Sequence, residues 1–596
     1  MLKLLALMLG CQLGGTPSEP AVPAVPAVPM PPPWPALSLD GAWLSEGVPL
    51  TLPLQHQQAP FAVERTLRLP EGWHPDEEAL LRMDAAGWRV TAWVNGELAD
   101  SATGGLAPLT LSLGSRLSAG ANQLQLRLDP PTPANVIDGV DAQPLAQWTG
   151  NTPAPGRVMA QGSIALEFPR EARVDALSTA LEDGVLTVTA RGSALDGAAV
   201  RFEVVRDGEV LARLPDAVMT GGVAESSAPW SGPIWSPGEP ALQLLVARLE
   251  GGQGRQQRFG ARELGRAEGA LMINEREQYL AALRYEADKA PTRVGVHHQI
   301  QTMVQAGANT VELHGPAPDI VLQVADELGV MVVETPRCDG QIRVDGPLRK
   351  SESWVQHIES TARRSVEARD RHPSLVLRSL EGVFSELRMD AAYHAGAVPA
   401  VDARELRGLV EGELERAISE GLPPYIIELP WALDGSNRDL AGRLEPLLEA
   451  HRSDGLGLVL PQVNGVSRRS PLSPDERAEE RAALALMLAR HDVSTVALVG
   501  REGPATVRIT ARRAGAPAVG VPVVLRVPGQ LPSGVFTDEQ GKATIVVDYA
   551  GEATLETLDG ETRAAVSLER GVYSARRWQT RAATVTLELT EAGGGG

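Results

Sequence analysis

Gly307-Ala-Asn-Thr-Val-Glu-Leu-His314 runs through Gly315-Pro-Ala-Pro318 into Asp319-Ile-Val-Leu-Gln-Val-Ala-Asp-Glu-Leu328, and Gly329 passes the chain to Val330-Met-Val-Val333. Thr310 to His314 is a short apolar run of strand length, residues 319–328 carry apolar positions at helical spacing, and residues 330–333 are again a short apolar run. A strand, an amphipathic helix and a second strand in that order are the repeating unit of a parallel sheet or barrel.

Outward from this unit, the same alternation extends over about 263–492. Further strands are expected at Leu375-Val-Leu377, Tyr425-Ile-Ile427 and Leu456-Gly-Leu-Val-Leu460, with helices at 352–369, 403–420 and 474–490. With the two above, these make five strands, and about six read as convincing over the whole span, so the expected (β/α)8-type TIM barrel reads as short of eight. On the N-terminal side, Phe61-Ala-Val-Glu-Arg-Thr-Leu-Arg-Leu69, Arg89-Val-Thr-Ala-Trp-Val94 and Asn122-Gln-Leu-Gln-Leu-Arg-Leu128 alternate with period two, and Asn95-Gly96 is a hairpin-turn signal. These predict a β-sandwich. Val185-Leu-Thr-Val-Thr-Ala190, Val200-Arg-Phe-Glu-Val-Val205 and Ala241-Leu-Gln-Leu-Leu-Val246 predict a smaller immunoglobulin-like sandwich. After about Val496 the strands Thr506-Val-Arg-Ile-Thr510, Val521-Pro-Val-Val-Leu525 and Ala543-Thr-Ile-Val-Val547 predict another. Asp538-Glu-Gln-Gly541-Lys542 reads as a hairpin turn and lacks the upstream glycine of a phosphate loop, and Gly593 to Gly596 is a structureless tail.

At 596 residues the chain has room for about four domains. Hydrophobic residues at 43% and charged residues at 22% are the balance of a globular protein. With 55 Lys and Arg against 75 Asp and Glu, the net charge is −20, which argues against nucleic acid as partner. No apolar run approaches the ~18 residues of a membrane span. The two cysteines, Cys11 and Cys338, exclude a disulfide framework, and Cys338 reads as a buried structural thiol. His297-His298 lacks acidic companions, so no metal is expected. Serine-esterase and zincin motifs are missing.

Met1-Leu-Lys3 followed by Leu4-Leu-Ala-Leu-Met-Leu9 and Gly10-Cys11 has the layout of an export signal. Its Gly-Cys ending resembles a bacterial lipoprotein signal, in which Cys11 carries the lipid; the alternative is an apolar leftover of a mis-chosen start. Three Ala-Val-Pro repeats between Pro20 and Pro29, then Pro31-Pro-Pro33, form a semi-rigid spacer. The expectation is an exported protein, lipid-anchored to a bacterial membrane (outer membrane or periplasm-facing), touching that membrane through the anchor only. The boundaries so read are 1–11 signal, 12–36 Pro-rich linker, 37–170 jelly roll, 171–262 immunoglobulin-like, 263–492 barrel and 493–590 immunoglobulin-like.

Several stretches resemble glycoside hydrolase family 2, the β-galactosidases, β-glucuronidases and β-mannosidases. Phe61-Ala-Val-Glu-Arg65 with Leu69-Pro-Glu-Gly-Trp73, Trp93-Val-Asn-Gly96 and Gly120-Ala-Asn122 resemble its sugar-binding jelly roll. Phe259-Gly-Ala-Arg-Glu263 resembles the join into the barrel, and residues 307–336 resemble the barrel itself. Arg371-His-Pro-Ser-Leu-Val-Leu-Arg-Ser379 resembles the strand leading to the acid/base glutamate. The resemblance implies hydrolysis of β-linked O-glycosides, carbohydrate as partner and no cofactor; the oligomeric state is left open.

Retaining hydrolysis needs two carboxyl groups about 5–5.5 Å apart, an acid to protonate the leaving oxygen and a nucleophile. Pro424-Tyr-Ile-Ile-Glu428 resembles the family's nucleophile strand, which makes Glu428 the nucleophile by resemblance and a strand-end surface glutamate otherwise. Counted from His372, the family's acid/base falls on Val383, with Gly382 in place of the adjoining Asn. Valine transfers no proton, so Glu381, or Glu386, is the displaced candidate. His314 and Glu334 match pocket-lining positions of the family, and Trp431 is either a sugar platform or core packing. Glu312 stands where the family has Arg. Two functions are therefore carried forward: a glycosidase with a relocated acid/base, and a catalytically inactive surface lipoprotein that binds glycan or protein on the same scaffold.

Overall fold

The computed structural model describes residues 35–52, 54–58, 61–70, 73, 78–86, 89–103, 108–129, 157–193, 196–267, 270–278, 280–285, 292–305, 308–314, 319–335, 371–380, 397–402, 426–428, 457–460, 501–573, 578–579 and 581–589. The signal with Cys11, the Pro-rich spacer and the helices expected at 352–369, 403–420 and 474–490 lie outside these residues.

The N-terminal sandwich faces a six-stranded sheet against a nine-stranded one. Strand Phe61–Leu69 alternates as read, burying Val63, Leu67 and Leu69. Asn95 and Gly96 both take positive φ, 53° and 83°, the type I′ geometry that joins Arg89–Val94 to Glu97–Thr103 without splaying the strands. Asp183-Gly184 and Asp207-Gly208 turn in the same way in the second sandwich. There the last predicted strand starts at Gln243 instead of Ala241 and runs to Leu249. The Asp538 turn is closed by the Lys542 carbonyl at 2.7 Å from the Asp538 amide.

The two end sandwiches, read from sequence as separate units, share one sheet. Leu37–Ser38 pairs antiparallel with Leu166 and Ala165 on one side and parallel with Gly534 and Val535 on the other. Arg65 breaks the inward apolar pattern of its strand because it pins this seam. Its Nη1 donates to the Leu39 carbonyl at 2.6 Å and its Nη2 to the Phe536 carbonyl at 2.7 Å, with the guanidinium 5.8 Å from the Trp43 ring centre. Gly520, at φ +68°, lies so close that a Cβ there would sit 2.6 Å from the Thr66 carbonyl.

Among the described residues, seven parallel strands build the ring: β1 Ala281–Tyr285, β2 Thr310–His314, β3 Met331–Thr335, β4 Leu375–Leu380, β5 Ala397–Asp402, β6 Ile426–Glu428 and β7 Gly457–Leu460. Each pairs with the next, and β7 pairs back onto β1. Two more strands than those read from sequence are present, β1 and β5. The described helices are α1, Arg293–Gln305, and α2, Asp319–Leu328. Only α2 was expected; α1 has a weak apolar stripe, and it buries His297, whose imidazole is lowered to about 4 by burial and then by His298. Beneath the ring, Leu271 and Ile273 of a small antiparallel sheet pack with Leu280, Ala282, Met331, Val333 and Val376.

Two consequences can be measured. Gly520→Ala combines a left-handed Cβ with a clash against Thr66 and should lower stability by about 2–4 kcal/mol in urea unfolding; an unchanged midpoint would count against the seam. Asp40 accepts the Ile164 amide at 2.8 Å, and burial pushes its carboxyl up to about 7. A carboxyl raised in the fold binds its proton more tightly there, so its contribution falls as pH climbs from about 4 to about 7. Asp40→Asn keeps the amide acceptor and should flatten the melting temperature across that window.

Candidate functional site

In a parallel ring every strand delivers its C-terminal end to one rim, where the connecting loops can assemble chemistry. Here the rim residues are Tyr285, His314, Thr335, Leu380, Asp402, Glu428 and Leu460. Glu428 therefore stands at the rim, as its resemblance to a nucleophile required. His314 is also a rim residue, one strand from Thr335 in register. Glu334 lies one residue below the rim, buried, level with Leu313 and Arg378. Glu381, Glu386, Val383 and Trp431 lie outside the described residues, although β4 ends at Leu380, one residue before Glu381.

The register adds a residue that sequence reading missed. Asp402, the last residue of β5, is paired with Glu428, the last residue of β6. Adjoining strands run about 4.8 Å apart, so two acidic positions share one level of the rim. Val459 is the partner of Glu428 on the other side. Residues 397–402 escaped notice because Pro399 interrupts the run, and an internal proline argues against a strand. The available signal was its form: a short apolar run ending in a carboxylate, as in Tyr425-Ile-Ile-Glu428. Glu312, found where the resemblance has Arg, is buried and level with Arg284 on β1. An arginine thus occupies the neighbouring strand at that height.

The opposite end of the ring is occupied by charges. His372 Nδ1 lies 2.6 Å from Asp326 Oδ2, and its Nε2 lies 2.9 Å from Asp319 Oδ1. Ser374 donates its hydroxyl to Asp326 at 2.6 Å and its amide at 3.0 Å, while Arg371 donates to Asp319 at 2.8 Å. The His-Pro-Ser stretch therefore fastens the start of β4 to α2. Its described contacts are structural, and the rim lies at the far end of the strand. The immunoglobulin-like unit grips the same helix: Trp235 Nε1 donates to the Asp326 carbonyl at 2.9 Å, Arg258 to Glu327 at 2.8 Å, and the Gly238 amide to the Gly329 carbonyl at 2.9 Å.

No protein-family model matches the sequence, and no curated protein matches it. Solved structures do. A β-D-glucuronidase of Dictyoglomus thermophilum superposes with a TM-score of 0.56 at 16% identity, over 78% of this chain and 90% of that one. The β-glucuronidase of Ruminococcus gnavus gives 0.57 at 15%, over 78% and 98%, and that of Faecalibacterium prausnitzii 0.57 at 15%, over 78% and 99%. Another Ruminococcus gnavus structure, at 14% identity and TM-score 0.56, holds D-glucuronic acid. The chain thus has the fold of the glycoside hydrolase family 2 β-glucuronidases, at low sequence identity.

Proposed function

We propose that this protein is a retaining glycosidase of the family 2 type, built on a closed ring of seven parallel strands where a (β/α)8-type barrel has eight, and acting on β-linked O-glycosides. β-Glucuronides are the first substrates to try, because the structural neighbours are β-glucuronidases and one of them binds D-glucuronic acid. The observation that carries the reading is the pairing of Asp402 with Glu428 at the rim. Retention needs carboxyls about 5–5.5 Å apart, a separation that neighbouring strands can supply.

In this reading Glu428 attacks the anomeric carbon while Asp402 gives its proton to the leaving glycosidic oxygen. The bond to the aglycone breaks, and an ester joins the sugar to Glu428. Asp402, now ionised, takes a proton from water, which attacks the anomeric carbon and frees Glu428. His314 and Glu334 belong to the sugar-facing part of the same proposal. Asp402 removes the need for an acid at Val383 and competes directly with Glu381 for the role. The lipid anchor at Cys11 would place the activity at a membrane surface. The valine at the family's acid/base position supports a second reading, a surface lipoprotein that binds glycan or protein without turnover.

The test is turnover of chromogenic β-glucuronide, β-galactoside, β-mannoside and β-glucoside by the full chain and three variants. Glu428→Gln should abolish turnover. Asp402→Asn should lower it by about 10²–10⁴-fold on poor leaving groups and much less on activated ones, the mark of a lost general acid. Glu381→Gln should leave the rate within a few-fold. The same losses on Glu381→Gln instead would move the acid to that residue. No turnover by folded wild type, together with measurable glycan binding in calorimetry, would establish the non-catalytic reading.

A further inference from the structure

Helix α2 brings three carboxylates to a place closed off from water, and His372 stands between two of them. Both of its ring nitrogens face a carboxylate oxygen, Nδ1 toward Asp326 at 2.6 Å and Nε2 toward Asp319 at 2.9 Å. A neutral imidazole has one N–H and one lone pair. In that state, with Nδ1–H on Asp326, Nε2 accepts the longer contact from Arg371 Nε at 3.3 Å and still sets its lone pair against the closer Asp319 oxygen. With both nitrogens protonated, each contact becomes a charge-assisted hydrogen bond. Charge points the same way: His372 and Arg371 as cations match Asp319 and Asp326 as anions.

The surrounding elements leave little to replace that charge. The third carboxylate of α2, Glu327, is already held by Arg258 and Arg293. From the jelly-roll strand 80–86, Asp84 approaches Asp319 and Arg371, so it adds negative charge to the same neighbourhood, while its Oδ2 accepts the Ser163 amide at 2.8 Å. Arg255 of the immunoglobulin-like unit approaches Arg371 and Arg82, and Arg82 lies 3.8 Å from Glu167. The site is thus a junction of three units, with one titratable cation at its centre.

We propose that His372 is an imidazolium clamp that fastens α2, the start of β4 and the adjoining jelly-roll sheet, and that the clamp releases as pH rises. Loss of one proton leaves two carboxylates facing a neutral ring, with Asp84 nearby. Burial by itself lowers the His372 imidazole, but Asp326 and Asp319 overcome this and hold it above its ordinary value. Burial raises Asp319, and Arg371 with His372 outweigh it and hold that carboxyl well below the usual range. The signs then follow. A histidine raised in the fold contributes fully below pH 6.5, and its contribution is lost as pH rises through the higher folded value. Asp319, lowered, stays ionised throughout that window. Asp84, raised chiefly by burial, favours the folded state on the acid side, the same direction as His372.

The test is the protonation state of the histidines in the full chain, read from imidazole nitrogen shifts of labelled protein. Of its 10 histidines, one should lose its second ring proton at a pH clearly above the ordinary histidine value of about 6.5, and Asp326→Asn should move that signal's titration to lower pH. In thermal unfolding, the wild type should lose several degrees as pH is raised through the range in which that signal titrates, and His372→Gln should lose this dependence. Ten imidazoles that all titrate at or below the ordinary histidine value of about 6.5, or a raised one indifferent to Asp326→Asn, would overturn the proposal. So would an undiminished alkaline fall in a folded His372→Gln. Should that variant fail to fold, the wild-type and Asp326→Asn titrations decide alone.

Discussion

Burying charge on one helix is the constraint around which the central part of this protein is arranged. Asp319, Asp326 and Glu327 all lie on α2 and are all buried. A carboxylate removed from water must find cations and hydrogen bonds or remain protonated. Each of the three has its partners, and they come from different places: Arg371, His372 and Ser374 before β4, Arg293 on α1, and Arg258 on the immunoglobulin-like unit. Satisfying one helix therefore fixes the position of a strand, a neighbouring helix and a whole sandwich. Removing one partner of such a buried pair is strongly destabilising, because it leaves an uncompensated charge away from water.

What sequence could show follows from how local each signal is. The strand 61–69, the Asn95-Gly96 hairpin and the β2-α2-β3 unit are written in period and turn chemistry, and they appear in the structure close to where they were read. Three features were not legible, each for a physical reason. The ring strand β5 carries a proline that argues against strand. Helix α1 has too weak an apolar stripe to stand out, because it buries histidine and glutamine along with its valines. The shared sheet depends on a two-residue strand meeting residues almost five hundred positions away, and no local pattern encodes such a partner.

The candidate site divides along the same line. Glu428 could be singled out because an apolar run ending in Glu is a local feature, and that run ends β6 in the ring. The significance of Asp402 exists only in register, which is a property of two strands together. The His-Pro-Ser stretch differs from both: its described residues anchor the beginning of β4, and the positions counted forward from it to an acid lie outside the described residues.

The seam at Leu37–Ser38 also governs the order in which the molecule can be completed. A ribosome delivers the strands of the jelly roll first and Ser533–Phe536 nearly last. Until then one edge of the nine-stranded sheet stays open, offering unpaired backbone groups and the unfilled seam around Arg65. Pairings this distant in sequence form slowly, and an open edge is where chains join one another by mistake. Synthesis past residue 533 thus closes a sheet begun almost five hundred residues earlier, and a chain stopped short of it would retain an exposed, adhesive edge in an otherwise folded sandwich.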